Sequence, residues 1–101
     1  MDLEEHIYLL RREFEEDNHT MLETMRKNVN LRSQGGWQRY RDVHTMFNET
    51  KKSLVLAENA VSEATASPSK KNTTNVNNKI EYFNNSWHTA REYSLIGMLS
   101  N

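Results

Sequence analysis

Apolar side chains recur at alternating steps of three and four residues through the middle of this chain: Tyr40, Val43, Phe47, Thr50, Leu54, Ala57, Val61 and Ala64. A helix turns about once every 3.6 residues, so this spacing gathers them into one stripe. It predicts a helix packed along its whole length against other helices. An earlier stripe of Leu3, Ile7, Leu10 and Phe14 breaks at Asp17 and Asn18 and resumes one four-residue step later with Met21, Leu22, Met25 and Val29. Such a break is a stutter in a heptad pattern. A third stripe passes through Val76, Ile80, Phe83, Trp87 and Ala90, and no alternating strand pattern competes with any of the three.

Polar residues and helix breakers mark the ends. Asp2 is placed to cap the first helix, with Glu5 three residues on to complete a capping box. Acids crowd the front of this helix and Arg26, Lys27 and Arg32 its back, the order that suits the helix dipole. The pair Gly35-Gly36 predicts a reversal over 32–36 with left-handed backbone. The second helix then runs from Trp37 until Pro68 stops it. From Ser67 to Thr74 the chain has no apolar residue, which predicts an exposed, mobile loop and a third helix from near Asn75. The expected helices are therefore about 2–34, 37–66 and 75–99.

Three helices of similar length joined by short reversals predict one all-α domain over 1–101. Its expected form is an elongated, antiparallel up-down-up three-helix bundle with coiled-coil-like packing. The two reversals favour a closed bundle over rods paired between chains, although heptads alone leave a homo-oligomer open.

Composition adjusts this picture in two places. Only 36% of residues are hydrophobic and the mean hydropathy is -0.91, a balance that leans toward disorder. The 9% aromatic content and the regular stripes argue for a folded chain. The absence of cysteine excludes disulfides, thiolate metal sites and a cysteine nucleophile, and favours an intracellular setting, cytoplasmic or nuclear. The acidic start has no signal-like region, and no run approaches the roughly 20 apolar residues of a membrane span, so the expected chain is neither exported nor membrane-spanning. Sequons at Asn18, Asn48, Asn72 and Asn84 match what chance gives among twelve asparagines.

Candidate chemistry is sparse. Glu16-x-x-His19 has the spacing of a carboxylate-bridged di-iron helix, but there is one copy and no inward carboxylate on the other stripes, so no metal is predicted. Arg12 and His19 stand near the Arg-x(4-6)-His spacing of some helical RNases. They lie, however, on a segment, residues 1–31, with eight acids and four bases, a field opposed to RNA. No Ser/His/Asp set or glycine-rich phosphate loop occurs. The expectation is a non-enzyme with no cofactor and no small-molecule substrate. Lys70, Lys71, Lys79 and Arg91 outnumber two acids in residues 67–101, yet the whole chain carries -1, so nucleic acid is a secondary alternative. Ser67-Pro68-Ser69-Lys70 matches the preference of proline-directed kinases. A phosphate on Ser67 is expected to oppose the dipole of the second helix and fray its last turn.

The surplus of apolar residues is the strongest surface signal. Leu95, Ile96, Met98 and Leu99 follow Tyr93 so closely that they point around most of the helix. An up-down-up bundle sets this end beside Val29, Leu31, Trp37 and Tyr40. Leu31, Trp37, Tyr40, Tyr93, Leu95, Ile96 and Leu99 are therefore the candidate partner-binding residues. Tyr8 with Leu9, and Val55 with Leu56, form smaller pairs expected to be partly buried.

With Trp87 in its stripe, Arg91 after it and an apolar tail, the third helix resembles the last helix of a spectrin-type repeat over about fifteen residues. The first helix lacks the tryptophan such repeats usually carry. In size and layout the chain is also similar to the three-helix regulatory domain that precedes the SNARE motif of syntaxins. The functional expectation is a non-catalytic helical interaction or adaptor module of a larger intracellular complex, with other helical proteins as partners bound through the apolar pole or a groove. The alternatives are a regulatory three-helix domain of a membrane-trafficking protein and a small nucleic-acid-binding bundle.

Overall fold

A computed structural model describes the backbone of residues 2–99 and the side chains of residues 2–96. Three helices account for nearly all of it: α1 (Leu3–Asn28), α2 (Gln34–Ala66) and α3 (Lys70–Leu99). They form the expected three-helix bundle, a rod of 52 × 19 × 16 Å. A helix of 33 residues is roughly 50 Å long, so α2 sets the length of the rod. Its pairing with α3 is the most extensive and that of α1 with α3 the least. Buried small residues on the two longer helices, including Ala57, Ala60 and Ala90, suit a close approach.

The second stripe holds from Val43 to Ala64, with every member buried, and Tyr40 half-buried at its start. Thr50 sits within it without an unsatisfied hydroxyl, because Oγ1 donates to the Met46 carbonyl at 2.9 Å. Ser53 and Ser94 are buried and satisfied in the same way, donating to the carbonyls of Thr50 and Ala90. Phe14 lies at the centre of an aromatic cluster, 6.0 Å from Phe47, 5.4 Å from Phe83 and 5.7 Å from Trp87 between ring centroids. The two latter contacts are edge-on, the geometry the ring quadrupoles favour.

At the stutter α1 continues unbroken, and the two polar residues there meet different fates. Asp17 accepts a hydrogen bond from the Trp87 indole, whereas Asn18 Oδ1 is buried without a hydrogen-bond partner among the described residues. Leu3, expected in the stripe, is exposed at the end of the rod.

Three boundaries differ from the sequence reading, two of them because side-chain caps act where glycine or loop composition was expected to. First, α1 ends at Asn28 instead of about 34; Val29 is extended (φ -103°, ψ 134°), with its N–H still bonded to the Met25 carbonyl. Second, the reversal spans 29–33, and Gly35 and Gly36 belong to the first turn of α2 with no left-handed backbone. Asn30 and Ser33 build this turn. Asn30 Oδ1 accepts the Arg32 N–H, Ser33 Oγ donates to the Asn30 carbonyl, and the same Oγ caps α2 by accepting the Gly36 N–H. Glycine is still required at 36, because a Cβ there would stand 2.0 Å from the Asn30 carbonyl oxygen. Third, α3 begins at Lys70, five residues before the expected Asn75. Ser69 Oγ accepts the Asn72 N–H at 3.0 Å, and Asn72 Nδ2 reaches back to the Ser67 carbonyl at 2.6 Å. The loop expected over 67–74 therefore contracts to Ser67, Pro68 and Ser69, and Lys70 and Lys71 stand on a helix.

Candidate interaction surface

The end of the rod formed by the α1–α2 turn and the last turns of α3 carries the residues singled out from the sequence. Leu31, in the turn, is half-buried and packs against the core. Trp37, one turn into α2, is 48% exposed. Its ring stacks on Tyr40 with centroids 6.2 Å apart and planes 22° from parallel. Tyr40 continues to His44 at 6.3 Å, so the three rings form a line at helical steps of three and four along α2.

Tyr93 joins α3 to α2. Its ring receives the Arg39 guanidinium 5.0 Å from the centroid, a cation–π contact. Its hydroxyl lies 3.4 Å from Asp42 Oδ2, and Gln38 Nε2 donates to the other oxygen of Asp42 at 2.8 Å. Leu95 and Ile96 are 47% and 56% exposed. As consecutive helical residues they point about 100° apart, so one flat partner meets only one of them squarely. The Leu99 side chain lies outside the described residues. The structure thus brings Trp37 onto Tyr40 and ties Tyr93 to Arg39 and Asp42, while Leu95 and Ile96 diverge.

Arg39 and Asp42 were not foreseen at this site. The charge of its surroundings was legible: residues 24–41 hold Arg26, Lys27, Arg32, Arg39 and Arg41 and no acid. Folding gathers them because the α1–α2 turn lies in the middle of that run. Arg26 pairs with Glu23 at 3.0 Å and Arg39 covers Tyr93. Lys27, Arg32 and Arg41 are exposed and make no ion pair among the described residues.

Other exposed apolar residues lie along the flanks. Tyr8, Leu9, Val55 and Leu56, expected to be partly buried, are all exposed. Tyr82, also exposed, lines a shallow groove between α2 and α3 with Met46, Thr50, Asn85 and Thr89.

The remaining chemical candidates are dispersed. Glu16 lies 3.6 Å from Arg12 in an exposed pair, and among the described residues no three His, Asp or Glu side chains gather as a metal site would require. His88 faces Glu92 at 3.0 Å. Of the bases proposed for nucleic acid, Arg91 is held 3.3 Å from Asp17, and Lys70 and Lys71 stand at the opposite end of the rod from the basic run. None of the described helices is long and apolar enough to cross a membrane. Comparison with protein-family models, curated proteins and solved structures finds no match to this chain.

Proposed function

We propose that this chain is a non-catalytic helical interaction module, an intracellular adaptor that docks other helical proteins through the end of the bundle bearing Trp37. The observation that carries this reading is an exposed indole stacked on Tyr40, at the end of the rod where Lys27, Arg32 and Arg41 make no ion pair among the described residues. Large aromatic side chains in fixed orientations are the anchors that dominate protein interfaces, because they contribute area with little entropy to lose. Lys27, Arg32 and Arg41 call for acidic residues on the partner, which would speed encounter and set orientation.

Affinity capture from cell extract with the wild-type chain, Trp37→Ala and Leu95→Asp tests the reading. Both variants alter exposed side chains and should keep the helical circular dichroism of the wild type. The expected result is a helical partner recovered with the wild type and lost with Trp37→Ala. Retention of every partner by both variants refutes docking at this end. A low-salt gel shift with duplex DNA or single-stranded RNA that depends on Lys70, Lys71, Lys79 and Arg91 would instead favour the nucleic-acid alternative.

A further inference from the structure

The connection between α2 and α3 consists of Ser67, Pro68 and Ser69, all exposed. Pro68 is the only proline in the chain, so Ser67 is the only hydroxyl residue followed by one. The two serines are not equivalent. Ser69 Oγ is engaged as the acceptor of the Asn72 N–H. Ser67 is bound through its backbone alone: its N–H donates to the Glu63 carbonyl at 2.9 Å and its carbonyl accepts from Asn72 Nδ2. Its hydroxyl makes no hydrogen bond among the described residues and faces water.

We propose that Ser67 is a phosphorylation site for a proline-directed serine/threonine kinase. Such enzymes take an exposed hydroxyl on extended chain, followed by proline and favoured by a base three residues on. Ser67 is already non-helical at φ -140° and ψ 78°, as the following proline requires, and Lys70 and Lys71 supply the basic side. Seating the segment in a kinase cleft requires release of the Asn72 clasp, the bond from the Ser67 N–H to the Glu63 carbonyl and the first turn of α3. These bonds lie in exposed backbone at the tip of the rod, where local opening costs least. In the reaction a bond forms between Ser67 Oγ and the γ-phosphorus of ATP as the bond to ADP breaks. The hydroxyl proton leaves through the kinase base, and nothing is oxidised or reduced.

The structure also changes what the phosphate would do. With α3 starting at Lys70, the new charge falls between the negative end of one helix dipole and the positive end of the next. The two effects oppose each other within three residues. The helices therefore persist, and the frayed last turn of α2 expected from the sequence alone does not follow. Ser67 lies thirty positions after Trp37, roughly 45 Å along α2, so the modification marks the far tip of the rod and is independent of docking at the Trp37 end.

The test is incubation of the intact chain with ATP and a proline-directed kinase, followed by intact-mass and fragment mass spectrometry, with a synthetic peptide of residues 61–75 in parallel. The expected result is one phosphate per chain, on Ser67, with unchanged helical circular dichroism. Ser67→Ala should take up none. Ser69→Ala should still be labelled, and Pro68→Ala should react at least about tenfold more slowly. Absence of label on both chain and peptide overturns the proposal, as does label on the peptide alone, which would show the folded connection to be closed to the enzyme. Label confined to any other residue of the chain overturns it equally.

Discussion

The indole N–H of Trp87 donates to Oδ2 of Asp17 at 2.7 Å, and Arg91 Nε approaches the same oxygen at 3.3 Å. This pairing fixes α1 against α3 where α1 interrupts its apolar stripe. Replacing Trp87 by Phe retains an aromatic ring beside Phe14 and Phe83 and removes the donor, at an expected cost of about 1 kcal/mol. Asp17→Ala removes the acceptor from both partners and should cost more, about 1–2 kcal/mol. Urea unfolding followed by circular dichroism reads both; equal stability of all three chains would show that the bond contributes nothing.

Phe14 touches an aromatic ring on each of the other helices and is fully buried. Truncation to Ala should cost about 3–5 kcal/mol, comparable to the whole stability of a marginal domain. Phe14→Leu keeps most of the volume and should cost below about 1.5 kcal/mol. Thermal melts of the two variants should therefore diverge, the Ala variant losing its cooperative transition.

The adjacent glycines make opposite predictions. At Gly36 an added methyl would meet the Asn30 carbonyl oxygen, whereas at Gly35 it meets nothing within 4 Å. Gly35→Ala should stabilise the chain by about 0.4–1 kcal/mol through helix propensity and a less free unfolded state. Gly36→Ala must shift the turn and should destabilise by about 1–3 kcal/mol. Comparable unfolding midpoints for the two would refute the turn geometry.

Arg11 and Glu58 join α1 to α2 by two hydrogen bonds of 2.6 and 2.5 Å. The bond to Glu58 holds the guanidinium above its ordinary pKa; partial burial opposes this, and Glu15 adds to it. A raised folded-state value means that the contribution is complete below the unfolded value and is lost only as pH climbs through the folded one, in strong alkali. Glu58→Gln should therefore cost about 1–2 kcal/mol for this partly exposed pair. Titration of Arg11 should leave that difference unchanged between about pH 6 and about pH 9. A cost that falls away within that range would refute Arg11 as the group responsible.

The chain's own pattern determined the number of helices, the faces they bury and the up-down-up order. Steps of three and four from Val43 to Ala64, and from Val76 to Ala90, require helix against helix to hide the apolar stripes from water, and the two reversals favour doing so within one chain. It also marked Trp37, Tyr40 and Tyr93, whose size and position relative to the stripes follow from helical periodicity. Only the tertiary structure decided the turns, because Asn30, Ser33 and Ser69 act through hydrogen bonds to particular backbone groups, which composition does not specify. It likewise decided that Asp17 faces Trp87 and that Tyr93 takes Arg39 and Asp42 as partners. Those contacts join residues about 50 and 70 positions apart, and local spacing carries no information about which side chains meet across a bundle once the helices have settled into register.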